Sequence, residues 1–221
     1  MEDHDDFAFE PVPGLPEKLP VGETLLWQGS PDWKALAISA FHVRKVAVYF
    51  ALLLAWHLAT RAGDSVADLA MTVAWHGALA AVTIGILSLL ARLYARGTIY
   101  TLTTKRIVIR SGLALPVTLN LPLALLDTAA LTIQPLGTDS IALSVTQPNR
   151  VAWLVLWPNA RPWHFNNPQP MLRCIRDAAV VAPLLKRALE AETGGSQPRV
   201  ALRPQPQPDA GEIADGATIA A

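Results

Sequence analysis

Two uncharged apolar runs dominate the first half of the chain. The first covers residues 46–60 and is short for a membrane span, but Arg44 and Lys45 before it can snorkel and extend it by about a turn. The second covers residues 69–90 and is long enough to cross about 30 Å of hydrocarbon at about 1.5 Å per residue. Together with the loop 61–68, these runs predict a transmembrane helical hairpin.

Basic residues flank the two runs on one side only. Arg44 and Lys45 precede the first run, and Arg92 and Arg96 follow the second, whereas the loop 61–68 holds two acids and one base. Cytoplasmic flanks of membrane helices carry the excess of Lys and Arg. The charge pattern therefore predicts a multi-pass membrane protein with a periplasmic loop and both termini in the cytoplasm.

Short segments that alternate between polar and apolar residues, or are rich in β-branched residues, follow the second run, and one precedes the first run. A third apolar stretch, 113–126, is too short for a span and contains Pro116 and Pro122, so it is interpreted as strand and turn. The other predicted strands are 23–28, 99–103, 106–110, 132–134, 141–146 and 151–157. This pattern is typical of a small antiparallel barrel or sandwich, which is assigned here to a cytoplasmic domain, 97–192.

Helical spacing replaces the strand pattern after residue 168. Apolar residues recur at intervals of three or four from Met171 to Leu189, with basic residues among the others. This periodicity predicts one amphipathic helix that caps the β domain, with a kink at Pro183. The overall prediction is an α+β membrane protein.

The two ends of the chain have the composition of segments without a core of their own. Residues 1–22 are acidic and interrupted by prolines, so they are expected to lie extended over another surface or to be disordered. Residues 23–45 are expected to hold the first strand and an interfacial helix that enters the bilayer. Residues 193–221, rich in Gly, Pro, Gln and Ala, predict a disordered tail.

Composition and charge limit the classes of protein to which this chain can belong. Hydrophobic residues make up 52% of the chain and charged residues 16%, which is more apolar than a soluble domain normally is. The net charge is +0, and without a dense basic run the driving force for nucleic-acid binding is missing. The single cysteine, Cys174, excludes an internal disulfide and fits a reducing compartment. The acidic start lacks the basic region of a cleavable signal peptide.

The string YTLTTKRIVIRSG at residues 100–112 has the pattern of a β-hairpin with a polar turn. Ile107 and Ile109 share one face of its second strand, and Arg106 and Arg110 share the other. The string resembles the signature of bacterial pleckstrin-homology-like domains. Residues 22–31, GETLLWQGSP, resemble an opening found in membrane-linked members of that group. The resemblance implies a PH-like fold.

Across roughly 5–190 the chain also resembles the PuhB family of photosynthetic complex assembly proteins of purple bacteria. The residues that carry this likeness are FAFEPV at 7–12, GLPE at 14–17, WQG at 27–29 and HVRKV at 42–46. The resemblance implies a non-catalytic assembly factor for the reaction centre and the core light-harvesting complex in the intracytoplasmic membrane. Reaction-centre subunits and possibly the core antenna are the implied partners, and self-association stays open.

The titratable residues form no recognisable catalytic set. Cys174 has no assignable histidine partner, and neither His42 nor His164 comes with carboxylates at ligand spacing. We therefore predict no enzymatic activity and no metal site.

A repeated tripeptide in the two apolar runs carries the candidate cofactor chemistry. Ala-Trp-His ends at His57 in the first run and at His76 in the second, and both histidines fall in the periplasmic half of the bilayer. Imidazole can ligate haem iron or, through the same lone pair, chlorophyll magnesium. The alternative function is thus a bacteriochlorophyll- or haem-binding delivery protein. The favoured interpretation is that the two histidines are interfacial anchors or hydrogen-bonding groups.

Arginines of the predicted β domain are candidates for contact with lipid. Arg106, Arg110 and Arg150 could meet anionic headgroups if the domain lies close to the cytoplasmic leaflet. This would make the protein a lipid-binding membrane-surface module. A solvated strand face is the favoured interpretation of the same residues.

Overall fold

The computed structural model describes residues 14–15, 17–113, 117–133, 137–146 and 152–192. The predicted tail 193–221 and most of the acidic segment 1–22 lie outside the described residues. The helices are α1 Trp33–Ser39, α2 Val43–Thr60, α3 Val66–Gly97, α4 Trp153–Leu156 and α5 Ala178–Glu192, with a 3-10 turn at Leu123–Leu125. The strands are β1 Leu25–Gly29, β2 Ile99–Thr103, β3 Arg106–Ser111, β4 Val117–Pro122, β5 Leu126–Ile133, β6 Asp139–Val145 and β7 Met171–Ile175.

Helices α2 and α3 form an antiparallel pair whose length and composition would allow each to cross a membrane. Ser65 starts α3, because its hydroxyl oxygen accepts the N–H of Asp68 as an N-cap. None of the most apolar window of α2 is buried within the chain, and only 11% of that of α3 is buried. The pair therefore leaves a large apolar surface uncovered by the rest of the described chain.

The strands form two antiparallel sheets, one with the order β1-β2-β3-β4 and the other with the order β5-β6-β7. Apolar side chains of both sheets meet in one core, including Tyr100, Ile107, Leu143 and Leu172. Within the described residues the two sheets do not join into a closed barrel. The arrangement is thus a sandwich of four and three strands, and the barrel alternative is not supported.

Helix α5 closes the core on one side. Val181, Leu185 and Leu189 are buried against the sheets, because their spacing places them on one helical face. Pro183 lies inside the helix.

Helix α1 joins the helical pair to the sandwich. Its small residues Ala35 and Ala37 pack with Ala91 and Ala95 of α3 in a second apolar cluster. The N–H of Asp32, just before α1, donates a 2.8 Å hydrogen bond to the carbonyl of Cys174 in β7. The base of the hairpin is therefore attached to both sheets, to one through β2 and to the other through α1.

The passage from α3 to β2 is unusually tight. Thr98 alone separates the two elements; it is buried, and its hydroxyl lies 3.1 Å from that of Ser111. A Cβ at Gly97 would lie 2.6 Å from the carbonyl oxygen of Gly112. Glycine is needed at this position because the backbone of the β3 end approaches so closely.

Two predicted elements are wrong. The expected strand 151–157 contains the one-turn helix α4, and the start of the expected C-terminal helix, Met171–Ile175, is strand β7. All five residues of β7 are buried. A strand buried on both faces lacks polar and apolar alternation, so its apolar run is read as helix when a helix follows.

Candidate functional site

The two histidine candidates, His57 and His76, lie side by side between α2 and α3. The ring centres of His57 and His76 are 4.5 Å apart, with an angle of 48° between the ring planes. The sequence placed them at comparable depth, and the antiparallel packing of the two helices brings the rings into contact. Both side chains are half-buried.

Each ring makes a hydrogen bond to its own helix. Nδ1 of His57 lies 3.0 Å from the carbonyl oxygen of Leu53, and Nδ1 of His76 lies 2.8 Å from that of Thr72. A carbonyl oxygen only accepts, so Nδ1 carries the hydrogen in both rings. In the neutral form, Nε2 of each ring then retains its lone pair and can accept a proton or bind a metal.

An open cleft of about 920 Å³ lies at the loop end of the hairpin beside these rings. The cleft is lined by His57, Arg61, Asp64, Asp68, Met71, Thr72, Trp75 and His76. The cleft therefore contains two imidazole rings together with acidic and basic side chains. Within the described residues, no group of three or more His, Cys, Asp or Glu side chains is arranged to hold a metal ion.

The geometry of the pair tests the pigment hypothesis. Two axial imidazoles on opposite faces of one macrocycle each place a nitrogen about 2 Å from the metal. The ring centres would then be farther apart than the observed 4.5 Å. His57 and His76 do not fit a shared macrocycle in this arrangement. One of the two Nε2 atoms could still act as a single axial ligand.

The arginine candidates of the β domain have different surroundings. Nε of Arg106 donates a 2.8 Å hydrogen bond to Glu23, whose side chain is only 4% exposed. Arg110 is half-buried near the other end of β3, and Arg150 lies outside the described residues. Arg106 is therefore part of an ion pair that joins β3 to the residues before β1.

The face of β3 that carries Arg106 is also partly covered. Leu15 and Val108 are both buried, and they line a cavity of about 150 Å³ together with Lys18 and Asn120. A short stretch of the N-terminal segment thus lies against the outer face of the first sheet. The strand face around Arg106 is therefore covered in part by this stretch, and Arg106 itself is paired with Glu23.

A buried polar network at β7 was not predicted. The phenol of Tyr100 donates a 2.7 Å hydrogen bond to Oδ1 of Asn159 and accepts the backbone N–H of Arg173 at 3.2 Å. The Arg173 side chain donates to the carbonyls of Pro158 and Ser39. Burial lowers the pKa of Arg173 and raises the pKa of Tyr100. The only signal in the sequence is a charged residue inside the apolar string MLRCI.

Cys174 and His164 are not among the residues that line the cleft beside His57 and His76. Cys174 is buried in β7, with its sulfur 3.2 Å from the hydroxyl of Ser39, and burial raises the pKa of the thiol. Nδ1 of His164 lies 2.8 Å from the carbonyl oxygen of Pro162 in an exposed loop. Neither group is placed at an open site with a reactive neighbour in the described part of the chain.

Comparisons with known proteins give two matches. A family model described as a bacterial PH domain matches residues 48–189. An uncharacterized 23.7 kDa protein in the puhA 5' region of Rhodobacter capsulatus is 40% identical over 208 residues, which cover 93% of this chain and 96% of that protein. No solved structure matches. The family match covers all of α3, most of α2 and the strands β2 to β7 but not β1, so the helical pair is part of the shared domain.

Proposed function

This chain belongs to the bacterial PH domain family, and we propose that it is a non-catalytic membrane protein that assists assembly of the photosynthetic reaction centre and core light-harvesting complex. The observation that carries this proposal is the 40% identity, over nearly the whole of both chains, to a protein named for its position beside puhA. The gene puhA in that name belongs to a photosynthesis gene cluster. The family resemblance of the sequence motifs points to the same process.

The exposed apolar surface of the helical pair supports a place in the bilayer. Large apolar side chains such as Leu52 and Met71 are 67% and 71% exposed, and exposure of this extent over two long helices is costly in water. The basic flanks favour cytoplasmic termini and a periplasmic loop. The proposed location is the bacterial inner, intracytoplasmic membrane.

Protein contacts are the proposed mechanism. Trp56 and Trp75 are 68% and 64% exposed on the two helices, and such surfaces can pack against the membrane helices of reaction-centre or antenna subunits. The sandwich would contact the cytoplasmic side of the same subunits. Binding of this kind holds subunits in place and needs no covalent chemistry.

Deletion of the gene tests the proposal. Levels of reaction centre and core antenna, measured from membrane absorption spectra and immunoblots, should fall while free bacteriochlorophyll is still made. A copy of the full chain supplied in trans should restore the complexes, and affinity purification from photosynthetic cells should recover reaction-centre subunits. Arrest of pigment synthesis itself would contradict an assembly role.

A second candidate is a pigment carrier, which is favoured by the lone pairs on Nε2 of His57 and His76 beside a cleft of about 920 Å³. The distance between the rings excludes a macrocycle shared by the two histidines, so each bound pigment would have one histidine ligand from this chain. A visible absorption spectrum of gently solubilised protein separates the two functions. A bound pigment at one equivalent would favour the carrier.

A further inference from the structure

We propose that α1 and the cytoplasmic end of α3 form a binding site for the headgroup of an anionic phospholipid. Arg92 and Arg96 would bind the phosphate, and Trp33 would form one wall of the site. This inference rests on the membrane placement of α3 proposed above. It assigns lipid binding to the junction between the hairpin and the sandwich rather than to the arginines of the β domain.

The site is a cleft of about 320 Å³ between the two helices. It is lined by Ser30, Pro31, Trp33, Arg92, Ala95 and Arg96. Ala95 is small and buried against α1, so the two arginines on either side of it flank the contact between the helices. Arg92 and Arg96 are one turn apart and share a face of α3.

Positive charge is concentrated around one indole ring. The guanidinium carbon of Arg92 lies 5.5 Å from the ring centre of Trp33, and Nζ of Lys34 lies 5.8 Å from it. Cation–π contact orients a guanidinium without neutralising it. The planar donor fork of arginine is suited to phosphate oxygens, which it can bind through two hydrogen bonds at once.

Within the described residues no carboxylate balances this charge, because neither Arg92 nor Arg96 forms an ion pair. The acid nearest in sequence to Trp33 is Asp32, whose carboxylate already accepts hydrogen bonds from Arg176 and from two N–H groups of α1. The cleft is therefore open to an anion from outside the described chain.

The apolar surface next to the cleft favours a lipid over free phosphate as the source of that anion. Leu89 and Val82 lie one and two heptads before Arg96, and so on the same helical face, and they are 56% and 60% exposed. An acyl chain can lie along these residues while its headgroup reaches the arginines. Arg92 is the first charged residue after the apolar run, which is the depth expected of a phosphate layer.

The experiment uses the full chain in dodecyl maltoside micelles and follows its thermal unfolding midpoint. Dioleoyl phosphatidylglycerol should raise the midpoint of the native protein in a saturable manner. Dioleoyl phosphatidylcholine and inorganic phosphate should not. The double variant Arg92→Gln with Arg96→Gln should need about tenfold more phosphatidylglycerol or more, as expected for the loss of two basic residues that face an anionic lipid.

A matched control removes two charges from the sandwich instead. Lys105 and Arg187 are exposed, and the double variant Lys105→Gln with Arg187→Gln should respond to phosphatidylglycerol as the native chain does. The inference is overturned if both double variants respond alike. It is also overturned if inorganic phosphate alone reproduces the saturable shift, because the cleft would then be a site for a free anion.

Carbonate extraction of membranes separates this inference from the proposed function. A native chain that is released by carbonate would contradict the membrane placement and both proposals with it. If the native chain and both double variants resist carbonate, and the arginine substitutions leave the phosphatidylglycerol response unchanged, only the lipid site fails.

Discussion

The phenol of Tyr100 and the amide of Asn159 form a 2.7 Å hydrogen bond in the interior of the protein. The same phenol oxygen accepts the backbone N–H of Arg173. Tyr100→Phe removes both bonds and leaves buried polar groups unpaired, so it should lower the free energy of unfolding by about 1–3 kcal/mol. Urea unfolding of the full chain in detergent measures the effect.

Tyr94 provides a matched control for that substitution. Its ring packs on Phe41 and Trp157, contacts that phenylalanine would keep. Tyr94→Phe should change the free energy of unfolding by less than about 0.5 kcal/mol. Equal losses in the two variants would mean that the network around Tyr100 contributes little.

Asp32 should make stability depend on pH in the acid range. Burial opposes its ionisation, but the N–H groups of Ala35 and Lys34 and the guanidinium of Arg176 outweigh that effect and lower its pKa. A folded-state pKa below the unfolded value gives a contribution that is complete above the unfolded pKa, about 3.9, and is lost as the pH falls through the folded pKa.

Two substitutions separate the charge of Asp32 from its role as the N-cap of α1. Asp32→Asn keeps a capping oxygen, whereas Asp32→Ala should also lose about 1 kcal/mol of cap stabilisation. The difference in unfolding free energy between the native chain and Asp32→Asn should shrink between pH 5 and pH 3, as measured by urea unfolding at each pH. A difference that stays constant with pH would argue against the ionised cap.

The ion pair between Glu23 and Arg106 should stabilise the folded protein. Arg106→Gln leaves the Glu23 carboxylate buried without its ionic partner, and the cost should be about 1–3 kcal/mol because Arg106 itself is partly exposed and screened. In the double variant with Glu23→Gln the loss should be smaller than the sum of the single losses. Additive losses in this cycle would show that the two side chains are not coupled.

Replacement of the histidines tests their role in the hairpin. Gln is polar and uncharged, so His57→Gln, His76→Gln and the double variant should reach normal abundance in the membrane and support normal levels of reaction centre. If a pigment does copurify with the native chain, one single substitution should remove it and the other should retain it, because the rings do not fit one shared macrocycle. Loss of pigment at normal abundance would establish ligation.

Thiol labelling measures the orientation of the hairpin. Cys174 is buried, so the native protein should react little with a membrane-impermeant maleimide and provides the background. Gly63→Cys, where a Cβ meets open space, should be labelled in intact cells, and Lys105→Cys only after lysis. The reverse pattern would place the termini in the periplasm.

The limits of sequence reasoning are clear at the ends of the helices. Hydropathy located the runs 46–60 and 69–90, but α3 continues to Gly97, past two arginines that a hydropathy scan treats as its end. The extension is stable because Ala91 and Ala95 pack on α1. That contact is tertiary and leaves no periodic mark in the sequence.

The candidate site was predictable in part. The depth of His57 and His76 followed from counting along two antiparallel helices, and their contact is consistent with that count. The burial of Arg173 could not be foreseen, since its side-chain partners are backbone carbonyls 15 and 134 residues away in the chain. Apolar strings such as Met171–Ile175 are also ambiguous between helix and strand until their neighbours are known.

The single residue between α3 and β2 has a mechanical consequence. Thr98 is buried and hydrogen-bonded to the end of β3, and Gly97 lies against the backbone of Gly112. These contacts restrict rotation of α3 relative to the sheet. A helix of 32 residues behaves as a rigid element, so a sheet attached to it this closely must rotate together with it. A binding partner that tilts α3 would thereby change the direction in which the sandwich faces.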